Sequence, residues 1–326
     1  MEEKETKKKK KFNLYDFLNG TNSKGDTDDE RNKKRNLSYF FTLFGRNFSR
    51  IFELNLIFVL GNIPFVFILL AISGITSASG SAADSSIFAQ IFAVSEKTSA
   101  TPALAALFGI YGLQQTVNVM TWKTWLCYGL GALTLITYGP VSCACFYNFR
   151  NIVAGKPVMI LSDAWDTIKK NWKNGLVLGI IDLILVFVIS YDIISFYYNI
   201  GSFFMNFCFW LSIACAVIYF FMRMYIYILT VTFDLKIFKV IKNAFIFSFL
   251  GFKRNIVAAI GIALAVFINY LLMLLPQTFG LGLILPFVIT IGIIMFMMAY
   301  AAWPKIKEIM IDPYYNPDGT PIEEAQ

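Results

Sequence analysis

Two residues of opposite charge, Asp182 and Arg223, lie inside long apolar stretches of this sequence. An ionisable group in hydrocarbon is costly unless it is paired or faces water, so such residues mark either a structural ion pair or a proton or ion relay. At 1.5 Å of rise per residue, each charge lies about 10 Å from the same end of its stretch if the stretches are antiparallel helices. We predict that the two side chains pair, with a relay as the alternative. Asp192 lies near the other end of its stretch, within reach of interfacial water.

Uncharged polar residues and helix breakers occur within these stretches as well. Asn62, Asn148 and Asn269 are candidates, together with Asp182, for the lining of a polar site at mid-depth. A proline inside a helix frees a carbonyl and bends the helix, and broken helices line the substrate sites of some transporters. Packing alone is the alternative explanation, because proline is frequent in membrane helices. The helix-break candidates are Gly139, Pro140, Pro64 and Pro286.

The residues that most enzymes use for acid-base or metal chemistry are missing or unsuitably placed. The sequence contains no histidine, so every histidine base, catalytic triad and histidine metal site is excluded. Its five cysteines all fall in apolar stretches and are interpreted as small buried residues. An intramembrane aspartyl protease needs two aspartates on different helices, but Asp182 and Asp192 share one stretch. We therefore predict no catalytic residue, no metal site, no cofactor and no enzymatic activity.

The apolar stretches themselves define the class of the protein. Apolar residues make up 57% of the chain and charged residues only 15%, which is typical of a protein embedded in a bilayer. A membrane-spanning helix needs about 20 mostly apolar residues. The last two stretches are separated only by a segment with Pro276, Gln277 and Gly280, which indicates a tight helical hairpin. We predict an all-α, polytopic membrane helix bundle of three hairpins, with spans at 56–75, 125–149, 175–198, 208–232, 256–275 and 281–303.

Three short segments rich in lysine, arginine, asparagine and aromatic residues precede the first, third and fifth spans: 45–50, 169–174 and 252–255. Each segment is approached by a stretch with helical periodicity, the first of which covers residues 37–53, so each hairpin is predicted to follow an amphipathic helix at the membrane surface. This arrangement suggests three repeated units, although any loop tethered between spans tends to be amphipathic. Cations and aromatic rings at the foot of a span favour a lipid bilayer with anionic headgroups as a partner. The predicted headgroup contacts are Arg46, Arg50, Lys170, Trp172, Lys173, Lys253 and Arg254.

The distribution of basic residues predicts the orientation. Short loops rich in lysine and arginine stay in the cytoplasm. With the N-terminus inside, all of the 28 lysines and arginines except Lys97 and Lys123 fall on the cytoplasmic side. We predict a multi-pass protein of the cell (plasma) membrane with both termini in the cytoplasm. This orientation accounts for the net charge of +7, so no nucleic acid partner is predicted.

Segments outside the spans complete the predicted organisation. Residues 1–36 hold a lysine run and an acidic patch without the apolar core of a signal peptide. They are interpreted as a disordered cytoplasmic tail, with a tether to anionic lipid as the alternative. Residues 76–123 form an extracytoplasmic insertion that we expect to contain one or two short helices on the outer surface, a re-entrant segment being the alternative. The membrane domain covers 37–312, and 313–326 form a cytoplasmic C-terminal tail.

Short motifs spread along the chain occur in an order that is more specific than any one of them. They are Phe44-Gly45-Arg46, Leu54-Asn55-Leu56, Asn62-Ile63-Pro64, Tyr138-Gly139-Pro140, Phe146-Tyr147-Asn148-Phe149-Arg150-Asn151, Lys170-Asn171-Trp172-Lys173, Thr232-Phe233-Asp234-Leu235, Gly251-Phe252-Lys253-Arg254-Asn255 and Trp303-Pro304. In this order they resemble the YesL-like family of bacterial integral membrane proteins, a family of unknown function. The resemblance covers residues 37–312 apart from the insertion.

The resemblance implies a small polytopic membrane protein that is linked, in Gram-positive bacteria, to carbohydrate uptake or utilisation and has no established reaction. A non-catalytic accessory or regulatory component is the function it favours, working with a membrane protein partner or as a homo-oligomer. The alternative is a small-solute transporter or channel. Complex formation would favour the first function, and a water-filled polar cavity at mid-depth would favour the second.

Overall fold

The fold is built almost entirely from helices, as the apolar stretches predict. A computed structural model describes residues 36–82 and 115–314. A π-helical turn at Pro286–Thr290 and a 3-10 turn at Asp312–Tyr314 accompany the α-helices. The α-helices are α1 (Leu37–Arg46), α2 (Phe48–Gly61), α3 (Pro64–Ile72), α4 (Trp122–Ala132), α5 (Thr134–Ala154), α6 (Ile160–Tyr198), α7 (Phe203–Thr232), α8 (Ile237–Leu250), α9 (Phe252–Leu274), α10 (Phe279–Leu285) and α11 (Ile291–Met310).

Several of these helices have the length and apolar composition of a membrane span. Within the described ranges, five helical segments qualify: Trp122–Ala154, Ile160–Tyr198, Phe203–Thr232, Phe252–Leu274 and Phe279–Tyr314. Helices α2 and α3 provide a sixth if they count as one span that is broken and bent by 65°. The fold class is therefore an all-α, polytopic helix bundle, in agreement with the prediction.

In the described ranges, residues 63–82 and 115–134 belong to one compact unit. In this unit α3 packs against α4. Two strands, β1 (Ala78–Ala82) and β2 (Gln115–Val119), pair in antiparallel fashion and extend from the two helices. Since the hydroxyls of Thr121 and Thr124 both donate to the carbonyl oxygen of Thr76, the two chain segments are fastened together where the ribbon begins.

The structure describes the two ends of the predicted insertion at 76–123. Both ends contain a strand, and the two strands pair with each other. Alternate polar and apolar residues in Gln115–Val119 favour an extended strand over a helix. The expected helices would fall on 83–114, which lies outside the described residues.

The rest of the chain forms a second compact unit, which in the described ranges comprises residues 36–62 and 135–314. Large aromatic side chains fill its core, among them Phe149, Tyr225 and Phe296, which are fully buried. The ring of Phe146 stacks on that of Tyr227, with their centroids 5.6 Å apart. The core lies among the C-terminal ends of α5, α7 and α11. We call this end of the unit its basic end.

The packed core covers only part of the length of α6 and α7. No residue from Leu183 to Ile218 is buried, although all of them are described. Asp182 on α6 and Tyr219 on α7 are the last buried residues before this exposed region, which holds the far half of both helices. The core therefore ends at the level of these two side chains.

Three kinks interrupt the helices of this unit at its basic end. Asn47 separates α1 from α2, Asn171 lies within α6, and Gly251 separates α8 from α9. Their backbones are nearly the same: φ and ψ are −107° and 18° at Asn47, −107° and 15° at Asn171, and −90° and 11° at Gly251. Nδ2 of each asparagine donates to the carbonyl four residues earlier, a local bond that competes with the helical ladder.

The kinks at Asn47 and Asn171 fall inside two of the three basic, aromatic segments that the sequence places before alternate spans, and Gly251 directly precedes the third. The periodicity from residue 37 to residue 53 predicted one amphipathic helix, but the structure divides it at Asn47 into α1 and the start of α2. The prediction was wrong here because the apolar pattern continues through Asn47, whereas the asparagine side chain bonds its own backbone.

The kinks also share a register, which supports true internal repetition. The residues four positions before each kink residue and four positions after it are buried in all three units. The residues six positions before and one position after each kink residue are exposed aromatics in all three units. Loops that were merely amphipathic would not place aromatic residues at the same positions relative to a kink. The exposed pairs are Phe41 and Phe48, Trp165 and Trp172, and Phe245 and Phe252.

Candidate functional site

Helix geometry brings three side chains of α7 onto one face beside Asp182. Tyr219, Arg223 and Tyr227 are four residues apart, so they project from the same side of the helix. Asp182 meets that face from α6, and Tyr138 reaches it from α5. We call these five residues the Asp182 cluster.

Neighbouring side chains engage both oxygens of the Asp182 carboxylate. Oδ1 lies 2.8 Å from Nε of Arg223 and accepts a hydrogen bond from the Tyr219 hydroxyl at 2.7 Å. Oδ2 accepts from the hydroxyls of Tyr227 at 2.8 Å and Tyr138 at 3.2 Å. Nη2 of Arg223 donates to the Tyr138 hydroxyl, which closes the network. Because a carboxylate has about four acceptor positions, the cluster saturates it.

The ion pair between Asp182 and Arg223, predicted from their equal depth, is confirmed. The Asp182 side chain is only 1% exposed. Taking a carboxylate out of water costs several kcal/mol unless an opposite charge and further hydrogen bonds compensate it. Here one guanidinium and three hydroxyls provide that compensation, so the cluster forms a neutral tie between α5, α6 and α7.

Arg223 is less enclosed than its partner. Its side chain is 29% exposed, and the bonds to Asp182 and Tyr138 use the Nε and Nη2 edge of the guanidinium. The opposite edge, formed by Nη1 and the second N–H of Nη2, makes no hydrogen bond to any described residue. One side of the guanidinium is thus used for structure and the other is open.

A close helix crossing positions the cluster. Gly139 of α5 lies against Gly175 and Gly179 of α6, so closely that a Cβ on Gly139 would overlap the Gly175 carbonyl. The prediction of a helix break at Gly139 and Pro140 was wrong, because α5 continues through both residues. The close approach places Tyr138, the residue before Gly139, next to Asp182. The chain interruption lies earlier, at Leu133 between α4 and α5.

The asparagine candidates do not join the cluster. Asn62 ends α2, where its Nδ2 donates to the Phe58 carbonyl and its Oδ1 accepts from the Thr137 hydroxyl. Nδ2 of Asn148, which is fully buried, donates to the carbonyl of Ala144 in the same helix. Its Oδ1 has no partner among the described residues. Both side chains serve helix ends and helix backbones.

Two of the proline candidates do coincide with helix irregularities. Pro64 is the first residue of α3, directly after the 65° bend. Pro286 begins the π-helical turn between α10 and α11. Asn269 of α9 contacts the helix before this turn, because its Nδ2 donates to the Gly282 carbonyl of α10.

Asn55, which sequence reasoning noted only as part of a motif, fastens the same turn. Its Nδ2 donates to the Phe287 carbonyl at 2.7 Å, and its Oδ1 accepts from the Gly292 amide at 2.7 Å. The side chain is fully buried. It forms hydrogen bonds with a carbonyl and an amide of the backbone at the π-helical turn, where the regular helical pattern is interrupted. The available signal was a single polar residue between Leu54 and Leu56 at the start of an apolar stretch.

Arg150 is a second buried cation that sequence reasoning assigned only to the basic loops. Its Nη1 donates to the Val231 carbonyl and to the Thr232 hydroxyl at the C-terminus of α7, where the helix dipole favours a cation. The guanidinium also lies over the rings of Tyr147, at 4.5 Å, and Trp303, at 5.6 Å. Arg150 therefore caps α7 and joins it to α5 and α11.

The predicted headgroup contacts flank the three kinks. Arg50 is half-buried and donates to Oδ1 of Asn47, and Arg254 donates to the Tyr300 carbonyl. The other candidates keep exposed side chains, which is what contact with a headgroup layer requires: Arg46, Lys170, Trp172, Lys173 and Lys253.

Chemically, the cluster can hold helices together or pass a proton, but it offers no metal site. Within the described ranges, no three residues among histidine, cysteine, aspartate and glutamate lie close enough to hold a metal ion. The Tyr138 hydroxyl bridges Asp182 and Arg223, the arrangement that a proton relay would need.

The fold and the cluster define a polytopic all-α protein with a charged tie between its candidate spans. Residues 119–193 match a family model described as "Protein of unknown function, DUF624". This segment contains Tyr138, the glycine crossing and Asp182, while Arg223 lies beyond it. No curated protein and no solved structure matches the chain.

Proposed function

We propose that the chain is an integral protein of the cell membrane and a non-catalytic accessory or regulatory component linked to carbohydrate uptake or utilisation. The saturated carboxylate of Asp182 carries the proposal, because it leaves no acceptor for a substrate and no free base for a reaction. The link to carbohydrate rests on the resemblance to YesL-like proteins. The match to a family of unknown function is compatible with it.

In this proposal both termini lie in the cytoplasm and the basic end of the unit lies at the inner leaflet. Exposed lysines and arginines beside exposed rings at the three kinks support contact with anionic lipid headgroups. The partner is a second membrane protein or another copy of the chain, and no nucleic acid is involved.

A pull-down from membranes in mild detergent tests the accessory role. The wild-type chain should retain one membrane protein at a fixed ratio, or elute at the mass of a homo-oligomer. Phe238 on α8 is 78% exposed at the basic end, and Phe203 on α7 is 89% exposed at the other end. We expect Phe238→Ser to weaken the association and Phe203→Ser to leave it intact. A monomer without a stoichiometric partner would contradict the proposal.

The open edge of Arg223 favours a second candidate function, a small-solute transporter or channel with a polar site at mid-depth. A guanidinium that is 29% exposed within a candidate span needs water or a polar ligand beside it. Flux of a solute through proteoliposomes, lost on mutation of Arg223, would favour this function over the accessory role.

A further inference from the structure

The guanidinium of Arg223 has two distinct sides. Its Nε and Nη2 edge is committed to Asp182 and Tyr138. Its other edge presents two parallel N–H groups, one from Nη1 and one from Nη2, and neither has a partner in the described part of the chain. Two parallel N–H donors match the spacing of two oxygens on a carboxylate or phosphate.

The surroundings of this edge indicate the direction from which a ligand can reach it. Arg223 lies one helical turn beyond Tyr219, the last buried residue of α7 before the exposed region. From Leu183 to Ile218 both α6 and α7 lack buried residues, so on the face of α7 that carries Arg223 only Tyr219 lies between Arg223 and this exposed region. Access from the basic end is closed by buried residues, including Tyr227 and Leu229.

Hydrocarbon cannot be the neighbour of the open edge without a large cost. Unsatisfied N–H groups of a cation in an apolar medium are among the most unfavourable groups in a membrane protein. The tyrosine hydroxyls do not relieve it: Tyr138 accepts from the Nη2 edge that is already committed, and the hydroxyls of Tyr219 and Tyr227 contact Asp182 and have no hydrogen bond to Arg223 in the described part of the chain. Water and an oxygen-bearing ligand are the partners that satisfy these donors.

We infer that the open edge of Arg223 binds an oxyanion, a carboxylate or a phosphate, which reaches it through an aqueous crevice from the end opposite the kinks. The inference deepens the second candidate function and rests on it, while the accessory role does not depend on it. Asp182 then acts as the positioning residue that holds the guanidinium side-on and leaves its end-on fork for the ligand. The phosphate can come from solution or from a lipid headgroup.

Thiol accessibility tests the crevice. Phe220 is partly buried and lies three residues from Arg223 on the same face of α7. In a chain with Cys127, Cys208 and Cys215 replaced by serine, Phe220→Cys in proteoliposomes should react with methanethiosulfonate ethylsulfonate. The anionic reagent should react at least several-fold faster than its trimethylammonium analogue, and Arg223→Gln in the same background should abolish that preference. Acetate or inorganic phosphate, added at constant ionic strength, should slow the reaction.

A matched position distinguishes a crevice from general exposure to the reagents. Ile184 is 53% exposed and projects from the side of α6 opposite Asp182, two residues away along the helix. Ile184→Cys should stay unreactive in the same vesicles. Equal reactivity at the two positions, or an unreactive Phe220→Cys, would overturn the inference.

Thermal stability of the purified chain tests binding and separates the two sources of phosphate. In maltoside detergent, inorganic phosphate or acetate should raise the Tm by a few degrees in a saturable manner compared with chloride. A rise produced only by short-chain phosphatidylglycerol would identify a lipid headgroup as the ligand. Arg223→Lys, which keeps a charge for Asp182 but lacks the fork, should lose the rise, whereas Lys123→Gln, at an exposed lysine outside the predicted headgroup contacts, should keep it.

No rise with any of these compounds would overturn the inference. If Arg223→Lys does not fold, the reaction at Phe220→Cys with Arg223 in place still decides the outcome. A failure of these tests together with a stoichiometric partner in the pull-down would leave the accessory role standing, so the two proposals can fail separately.

Discussion

At the scale of single residues, charge compensation dominates the site. Asp182 is enclosed by one cation and three hydroxyls, and Arg150 by a helix C-terminus and two rings. In both cases partners from other helices help to balance a buried charge. Removing one partner therefore costs more than the bond itself, because the remaining charge stays buried and unpaired.

This asymmetry gives the first prediction. Arg223→Gln should lower the free energy of unfolding by about 3–5 kcal/mol, since it leaves the buried Asp182 carboxylate uncompensated. Asp182→Asn should cost less, because the remaining guanidinium is partly exposed. The double variant should recover part of the loss, because neither charge is then present. The measurement is a double-mutant cycle from unfolding in detergent. Additive losses would show that the two side chains do not depend on each other.

The pair could be predicted from the sequence because depth is a matter of counting. Two opposite charges lie in apolar stretches at the same distance from the same end. Few arrangements other than an ion pair would compensate both charges. The tyrosines of the cluster were not predictable in the same way, since Tyr138, Tyr219 and Tyr227 suit an interface or a core equally well. Their spacing of four residues around Arg223 was the signal, and it has meaning only once the Asp182 side chain is placed opposite.

At the scale of helices, close backbone approach and local side-chain bonds decide where helices cross and bend. Pro140 was expected to break its helix, but α5 continues through it at the contact of Gly139 with Gly175 and Gly179. Asn47 and Asn171, which have ordinary helical surroundings, are residues at which helices kink. Residue type alone therefore located the irregularities at Pro64 and Pro286 but missed those at the two asparagines, because the partner of each backbone group depends on local side-chain bonds and on the neighbouring helix.

The glycine crossing gives the second prediction. Gly139→Ala should lower the free energy of unfolding by about 1–3 kcal/mol, because the added methyl group overlaps the backbone of α6 and forces the helices apart. Gly129→Ala is the control, since a Cβ at that helical position meets nothing within 4 Å. It should be neutral or raise stability by up to about 1 kcal/mol through helix propensity. Thermal unfolding of both variants in one detergent compares them, and equal effects would exclude the crossing as the cause.

At the scale of the whole molecule, the internal repetition organises the larger unit. Each repeat places a kink, an exposed pair of aromatic residues and a span in the same order. The sequence indicated three such units through their basic segments, but thin residue identity left the repetition undecided. Burial at fixed distances from the kinks supports it, since side-chain volume can vary while the pattern of buried positions stays the same.

Orientation gives the third prediction. Lys169 lies beside the kink in α6, and Asn199 lies in the turn that follows the helix, and both side chains are exposed. In intact cells, a membrane-impermeant maleimide should label Asn199→Cys, whereas Lys169→Cys should react only after lysis. The reason is that lysine- and arginine-rich segments remain in the cytoplasm. The reverse pattern of labelling would invert the proposed topology.

The tie between α6 and α7 also bears on how the chain would enter a bilayer during synthesis. Insertion of either helix alone would carry one uncompensated charge into the membrane, at a cost of about 2.5–3.5 kcal/mol for a residue near the centre of a span. The turn between the helices comprises only Asn199 to Ser202. The helix with Arg223 therefore enters the translocon soon after the helix with Asp182. The two helices are therefore expected to leave the translocon as a preformed pair, with their charges already neutralised, which would make the hairpin the unit of biogenesis.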